Sequence, residues 1–207
     1  MKRCAIVLCG GKSSRMGTDK AALPFGAESL ATRVVGVLRQ VVALERIVVV
    51  AAVEQRLPSM PAGVVVTRDL RPERGPLEGI AAGLRAAAPL AECAFVTACD
   101  VPLLRAEFVA RLFIIAEAAA AESFPITVPG DEVKCYPLTG VYHTEVLPAV
   151  ERRLAADQLR VRDLFQDVPT RYVPLEDLRD VDPELASLEN VNHPQEYRSA
   201  LNHVGLE

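Results

Sequence analysis

Short, nearly continuous apolar runs alternate with longer stretches of helical periodicity through most of this chain, and that alternation limits the folds open to it. Residues 4–9, reading CAIVLC, are apolar almost throughout, as expected of a strand covered on both faces. Residues 29–44 follow with Leu30, Val34, Val37, Leu38, Val41 and Val42 on one helical face. Residues 46–53 and 64–67 read as the next two strands, 77–88 as an alanine-rich helix closed by Pro89, 94–98 as a fourth strand and 106–121 as a long helix. Beyond that the pattern loosens. Strands are expected at 125–129 and 138–143 around a Gly130-Asp131 turn, then a helix near 145–156, a strand at 170–174 and a closing helix at 194–202. Strands feeding helices in this order imply an α/β fold: a single-domain, Rossmann-like, mostly parallel mixed sheet with helices on both faces. The later half should supply an antiparallel or mixed edge. No linker or repeat interrupts residues 1–207, so one domain is expected.

Half of the 207 residues are hydrophobic, enough for a core without disulfides or a structural metal. The formal charge of −4 argues against a general nucleic-acid binder, which carries a basic excess. It still permits one positive pocket for a small anion. Five cysteines, at 4, 9, 93, 99 and 135, show neither CxxC nor zinc spacing and read as small hydrophobes kept reduced. The apolar stretch after Lys2 and Arg3 ends at Gly10, too short for a signal peptide, and no run of 18 apolar residues could span a membrane. A cytoplasmic location is expected.

Chemistry should gather in the loops at the carboxyl ends of the strands. The first such loop runs Leu8-Cys9-Gly10-Gly11-Lys12-Ser13-Ser14-Arg15-Met16-Gly17-Thr18-Asp19-Lys20. Its glycines allow close backbone approach to a ligand, and exposed N–H groups make an anion-binding concavity. Lys12, Arg15 and Lys20 add three cations to an acidic chain, which points to polyphosphate. The loop is neither a Walker loop nor a GxGxxG turn. The second loop, Thr97-Ala98-Cys99-Asp100-Val101-Pro102-Leu103, places a carboxylate at the exit of a buried strand. That suits Mg²⁺, which takes one or two carboxylates plus phosphate oxygens and water; capping of the next helix is the plainer alternative. The third, residues 67–79, carries Asp69 at another strand exit, amid charges that could equally be a solvated surface. A fourth candidate is Glu189-Asn190-Val191-Asn192-His193-Pro194, whose two amides point the same way if the segment is extended. They could ligate Mg²⁺ or hold ribose or phosphate, or one could cap the helix beginning at Pro194.

Taken together these motifs resemble the nucleotidyltransferases of the glycosyltransferase-A-like fold, and within them the molybdenum cofactor guanylyltransferase family. The resemblance lies in Leu8-Cys9-Gly10-Gly11, Arg15-Met16-Gly17, Lys20, Asp69, Gly75-Pro76-Leu77 with Gly79, Cys99-Asp100-Val101-Pro102, Tyr136-Pro137-Leu138 and Asn190-Val191-Asn192-His193-Pro194. It implies transfer of GMP from GTP to molybdopterin with release of pyrophosphate, dependent on Mg²⁺. Leu8, Cys9 and Gly10, with Gly11 and Lys12, would then line the nucleotide. Lys20 would bind the triphosphate with help from Arg15, Asp69 would contact the nucleotide and Asp100 would hold Mg²⁺ and nucleotide. Asn190 and Asn192 would sit near the acceptor or metal. The family analogy also suggests transient contact with molybdoenzyme maturation partners. Two departures stand out: Ala51, Ala52 and Val53 occupy the stretch where these enzymes often place a guanine-reading Asn, and Cys9 replaces the usual Ala. Guanine selectivity must then come from backbone groups, or the base differs. A cytidylyl- or sugar-phosphate nucleotidyltransferase and a non-catalytic nucleotide-binding module are the competing readings.

Overall fold

The computed structural model describes residues 1–10, 19–72 and 74–206; the expectations for Gly11, Lys12 and Arg15 fall outside the described residues. Four parallel strands form one half of the sheet: β1 (Arg3–Leu8), β4 (Ile47–Ala51), β5 (Val65–Arg68) and β6 (Cys93–Ala98). The two-residue strands β2 (Pro24–Phe25) and β3 (Glu28–Ser29) form a small separate hairpin. The second half comprises β7 (Ile126–Pro129), β8 (Thr139–His143) and β9 (Thr170–Val173). The order across the seven-stranded sheet is β5-β4-β1-β6-β8-β7-β9. The helices are α1 (Leu30–Leu38), α2 (Gly75–Ala87), α3 (Ala106–Ala121), α4 (Leu147–Ala155) and α5 (Pro194–His203). The mostly parallel α/β sheet expected from the alternation is therefore present. The antiparallel strand lies inside it rather than at its edge: β8 runs against both β6 and β7, and β9 closes the sheet parallel to β7.

Successive side chains of a strand point to opposite faces, so the apolar run of β1 fills two cores at once. Ala5 and Val7 join Val34 and Leu38 of α1 and Phe108 and Leu112 of α3 on one side. Cys4, Ile6 and Leu8 join Leu77, Ile80 and Leu84 of α2 and Val150 of α4 on the other. Burial of each such large apolar side chain contributes about 1.5–3 kcal/mol. A third, smaller cluster packs Leu201 and Ala200 of α5 with Val191, Leu103 and Phe25, which fixes the segment before α5 against the loop after β6.

The helix read from the sequence as 29–44 ends at Leu38. Ser29 starts it with a capping box: Thr32 N donates to Ser29 Oγ at 3.2 Å and Ser29 N to Thr32 Oγ1 at 2.8 Å. Its far end was overread because Val41 and Val42 keep the helical spacing while packing as a turn onto the same core. Among the described residues no helix is long and apolar enough to cross a membrane.

Candidate active site

The parallel register sets the carboxyl ends of four strands at one level. Leu8 lies beside Val50 and Ala98, and Ala51 beside Arg68. The chain leaves the sheet there in loops that enclose a cavity of about 670 Å³, the position at which open α/β sheets take ligands. Leu8, Cys9 and Gly10 line it at the exit of β1, and Lys20, Asp69, Asp100, Asn190 and Asn192 line it from four further segments. Every described residue singled out in the sequence as a site candidate therefore faces one space. Asn190 also borders a neighbouring cavity of about 280 Å³ between the loop after β6 and α5.

Lys20 is the focus of one end. Its Nζ donates to Asp100 Oδ2 and to Asn192 Oδ1, each at 2.8 Å. The side chains of Lys20 and Asp100 are only 18% and 13% exposed, so this is not a loose surface pair of negligible consequence. Val191 N donates to the Asp100 carbonyl at 2.8 Å and brings the two amides to the carboxylate. The competing capping roles do not apply. Helix α3 begins at Ala106, well past Asp100, and α5 starts after His193, whose N–H, like that of Asn192, goes to Glu196. Asp100 Oδ1 is buried without a hydrogen-bond partner, which leaves one hard oxygen for a cationic ligand.

The other end is acidic, with two buried carboxylates close together. Asp69 is fixed by its own N–H, which donates to the Ala51 carbonyl at 3.0 Å, and its Oδ1 is buried without a partner. Glycines flank the carboxylate closely: a Cβ on Gly10 would lie 3.1 Å from Asp69 Oδ2, and one on Gly79 would lie 3.5 Å from Oδ1. Small residues thus leave room for a flat ring beside the acid. Glu78, in the first turn of α2, is 3% exposed; its buried Oε2 has no hydrogen-bond partner and forms a long ion pair with Arg71 Nε, 4.0 Å away. Burial first, and the Glu78 charge second, push the Asp69 carboxyl up from an ordinary 3.8 to about 6. Helix α2 opens with no side-chain cap, so its first N–H groups add positive potential at this rim.

Three contributors were not identified from the sequence. Glu78 is one of several charges in the third loop and carries no motif of its own. Arg74, lining the cavity, ties the start of α2 to the end of α4 through Asp157 Oδ1 at 2.5 Å and the Leu154 carbonyl. Gln55, in the turn after β4, belongs to no recognisable motif and bridges the ends of the first loop; only its position just past a strand exit could have drawn attention to it. The cysteines stay free. Cys99 is pushed well up by a hydrogen bond with Cys9 and by burial, which makes it a poor thiolate nucleophile despite its place in the cavity.

Residues 5–172 match the family described as MobA-like NTP transferase domain. A "Probable molybdenum cofactor guanylyltransferase" of Carboxydothermus hydrogenoformans is 35% identical over 201 residues, covering 97% of this chain and 96% of that protein. A protein of the same name from Mycobacterium avium is 37% identical over 202 residues, covering 96% and 95%. Among solved structures, molybdopterin-guanine dinucleotide biosynthesis protein A from Archaeoglobus fulgidus superposes with a TM-score of 0.80 at 23% identity over the full length of both chains. The fold extends to 2-C-methyl-D-erythritol 4-phosphate cytidylyltransferase from Thermus thermophilus, with a TM-score of 0.70 at 16% identity over 99% of this chain and 100% of that one. Sequence match and near-complete coverage lead to one conclusion: the chain belongs to the MobA-like NTP transferase family and is a nucleotidyltransferase.

Proposed function

We propose that this enzyme transfers GMP from GTP to the terminal phosphate of molybdopterin and releases pyrophosphate. An acceptor phosphate oxygen attacks the α-phosphorus, the α–β bridging bond breaks, and its electron pair leaves with pyrophosphate. The acceptor is already anionic, so no covalent nucleophile or strong base is required. What the protein must overcome is repulsion between two polyanions and the charge gathering on the leaving group. One observation carries the reading: Lys20, Asp100 and Asn192, from three distant segments, meet through 2.8 Å contacts in a cavity bounded by the root of a glycine-rich loop.

Lys20 neutralises the phosphates, an electrostatic role that needs only correct position. Lys12 and Arg15 carry the same charge in the adjoining loop sequence. Asp100 and Asn192 are the residues that would hold Mg²⁺. The donor set fits a cation that takes one or two carboxylates with phosphate oxygens and water: a carboxylate with a free buried oxygen, and an amide oxygen that now accepts from Lys20. Bound there, Mg²⁺ would supply charge neutralisation on phosphate oxygens. Asp69 serves the base. Guanine presents N1–H and an exocyclic amino group side by side, and an ionised carboxylate accepts from both. This compensates for Ala51, Ala52 and Val53, whose side chains offer no hydrogen bond. Backbone groups of Leu8, Cys9 and Gly10 line the ribose and base, and Asn190 faces the acceptor. We place this reaction in the cytoplasm.

The test is pyrophosphate release with GTP, CTP, UTP or ATP, each with Mg²⁺ and with or without molybdopterin. Release with GTP and molybdopterin alone is expected. Release driven by CTP, or by a sugar phosphate in place of molybdopterin, overturns the assignment.

A further inference from the structure

The turn after β4 carries a glutamine that makes four side-chain hydrogen bonds. Gln55 Nε2 donates to the Cys9 carbonyl at 2.9 Å and lies 2.9 and 2.8 Å from the two Asp19 carboxylate oxygens. Its Oε1 accepts from Ala52 N at 2.9 Å. Asp19 in turn accepts from Ala21 N at 3.0 Å and so caps the short 3₁₀ turn Lys20–Ala22. Arg68 braces the same turn from behind, its Nη1 donating to the carbonyls of Ala52, Val53 and Gln55 at 2.7, 3.1 and 3.0 Å. One amide therefore joins residue 9, where the first loop leaves the sheet, to residue 19, where the chain returns. The next residue is Lys20, whose Nζ meets Asp100.

We infer that Gln55 is a positioning residue for nucleotidyl transfer: by clamping Cys9 to Asp19 it sets the backbone from which Lys20 reaches the triphosphate. The inference rests on the reading of Lys20 as a phosphate ligand. Its physical basis is that both halves of the amide are used at once. The oxygen accepts from the β4 exit while the nitrogen donates to a carbonyl and to a carboxylate, and no hydrocarbon or carboxylate side chain can do all three. Hydrogen bonds to a charged acceptor are the stronger class, so the clamp is stiff. Misplacement of a catalytic group by about 1 Å can cost about 100-fold in rate.

The test is a double-mutant cycle with Lys20, read as pyrophosphate release with whichever of the four nucleotides the wild type turns over. Gln55→Ala is expected to lower kcat about 10- to 100-fold while KM for the nucleotide changes less than about threefold, because the ground-state contacts survive. In the Lys20→Ala background Gln55→Ala should have no further effect. Gln55→Glu sets oxygen against both Cys9 O and Asp19 and should be as damaging; adding Asp19→Asn restores the donor–acceptor match at residue 19 alone, leaving the Cys9 carbonyl unmatched, and should recover part of kcat. Melting temperatures of all variants separate a loss of fold from a loss of position, and the swapped pair remains informative even if Gln55→Ala folds poorly. Unchanged kcat in Gln55→Ala, or an equal loss with and without Lys20, overturns the clamp. Full turnover by Lys20→Ala overturns the reading of Lys20 and the clamp with it, a result distinct from loss in Lys20→Ala with a silent Gln55.

Discussion

Two carboxylates face the same cavity in opposite electrostatic settings. Asp100 meets a lysine and stands beside two amide-bearing residues, whereas Asp69 sits among glycines with a second buried carboxylate, Glu78, behind it. The first arrangement suits the polyanionic, metal-binding end of a nucleotide, where positive charge must accumulate. The second keeps an unsatisfied acceptor ready for a neutral N–H donor, at the cost of an upward-shifted pKa. The contrast shows that an acid at a strand exit acquires its role from what the topology brings opposite it.

The largest effect should come from breaking the paired end. Asp100→Ala is expected to lower kcat for pyrophosphate release about 1,000-fold or more, with the protein still folded by circular dichroism. Lys20→Ala should cost about 100- to 1,000-fold in the same assay, the scale expected when one preorganised charge-stabilising group is removed. At the unpaired end the expectation is different in kind. Asp69→Asn should raise KM for GTP about 10- to 100-fold with a smaller change in kcat, equivalent to about 1–3 kcal/mol of a charge-assisted hydrogen bond.

A pH titration sharpens the comparison. Asp69 is raised to about 6, so the native state holds its proton at pH values where the unfolded chain has lost it. Its contribution to stability is therefore present below pH 3.8 and is lost as pH rises through about 6. The same ionisation creates the acceptor that guanine requires. Between pH 5 and 7 the contribution of Asp69 to the melting temperature should fall while affinity for MgGTP rises, and Asp69→Asn should flatten both trends. Glu78→Gln, the smallest effect, should move the affinity midpoint to lower pH by removing the like charge; an unmoved midpoint would leave burial as the sole cause.

Much of this was legible before the structure. The CAIVLC run is what a strand covered on both faces looks like, and polar residues just past such strands mark the ligand edge of an α/β sheet. Asp100 was recognisable for that reason, Asp69 as a carboxylate at another strand exit, and Lys20 as one of three cations in a glycine-rich loop. Other features are not local. The helical spacing of Val41 and Val42 continues past Leu38 because a packed turn and a helix can bury the same residues. Nothing in residues 139–143 reveals that this strand inserts antiparallel beside β6. The meeting of Lys20 with Asn192 depends on α5 docking against Leu103 and Phe25, and the clamp by Gln55 depends on the parallel register of β1 and β4. Glu78 and Arg74 lie on a helix start whose sequence looks like an ordinary charged loop until the sheet places Asp69 against it.

The central claim is that a single nucleoside triphosphate bridges the paired and unpaired acids, and a crystal structure with Mg²⁺ and α,β-methylene GTP, whose scissile bridge cannot break, tests it most directly. The phosphates should lie against Lys20 and Asp100 and the guanine edge on Asp69. Phosphates bound at the Asp69 end, or anywhere away from Lys20 and Asp100, would contradict it.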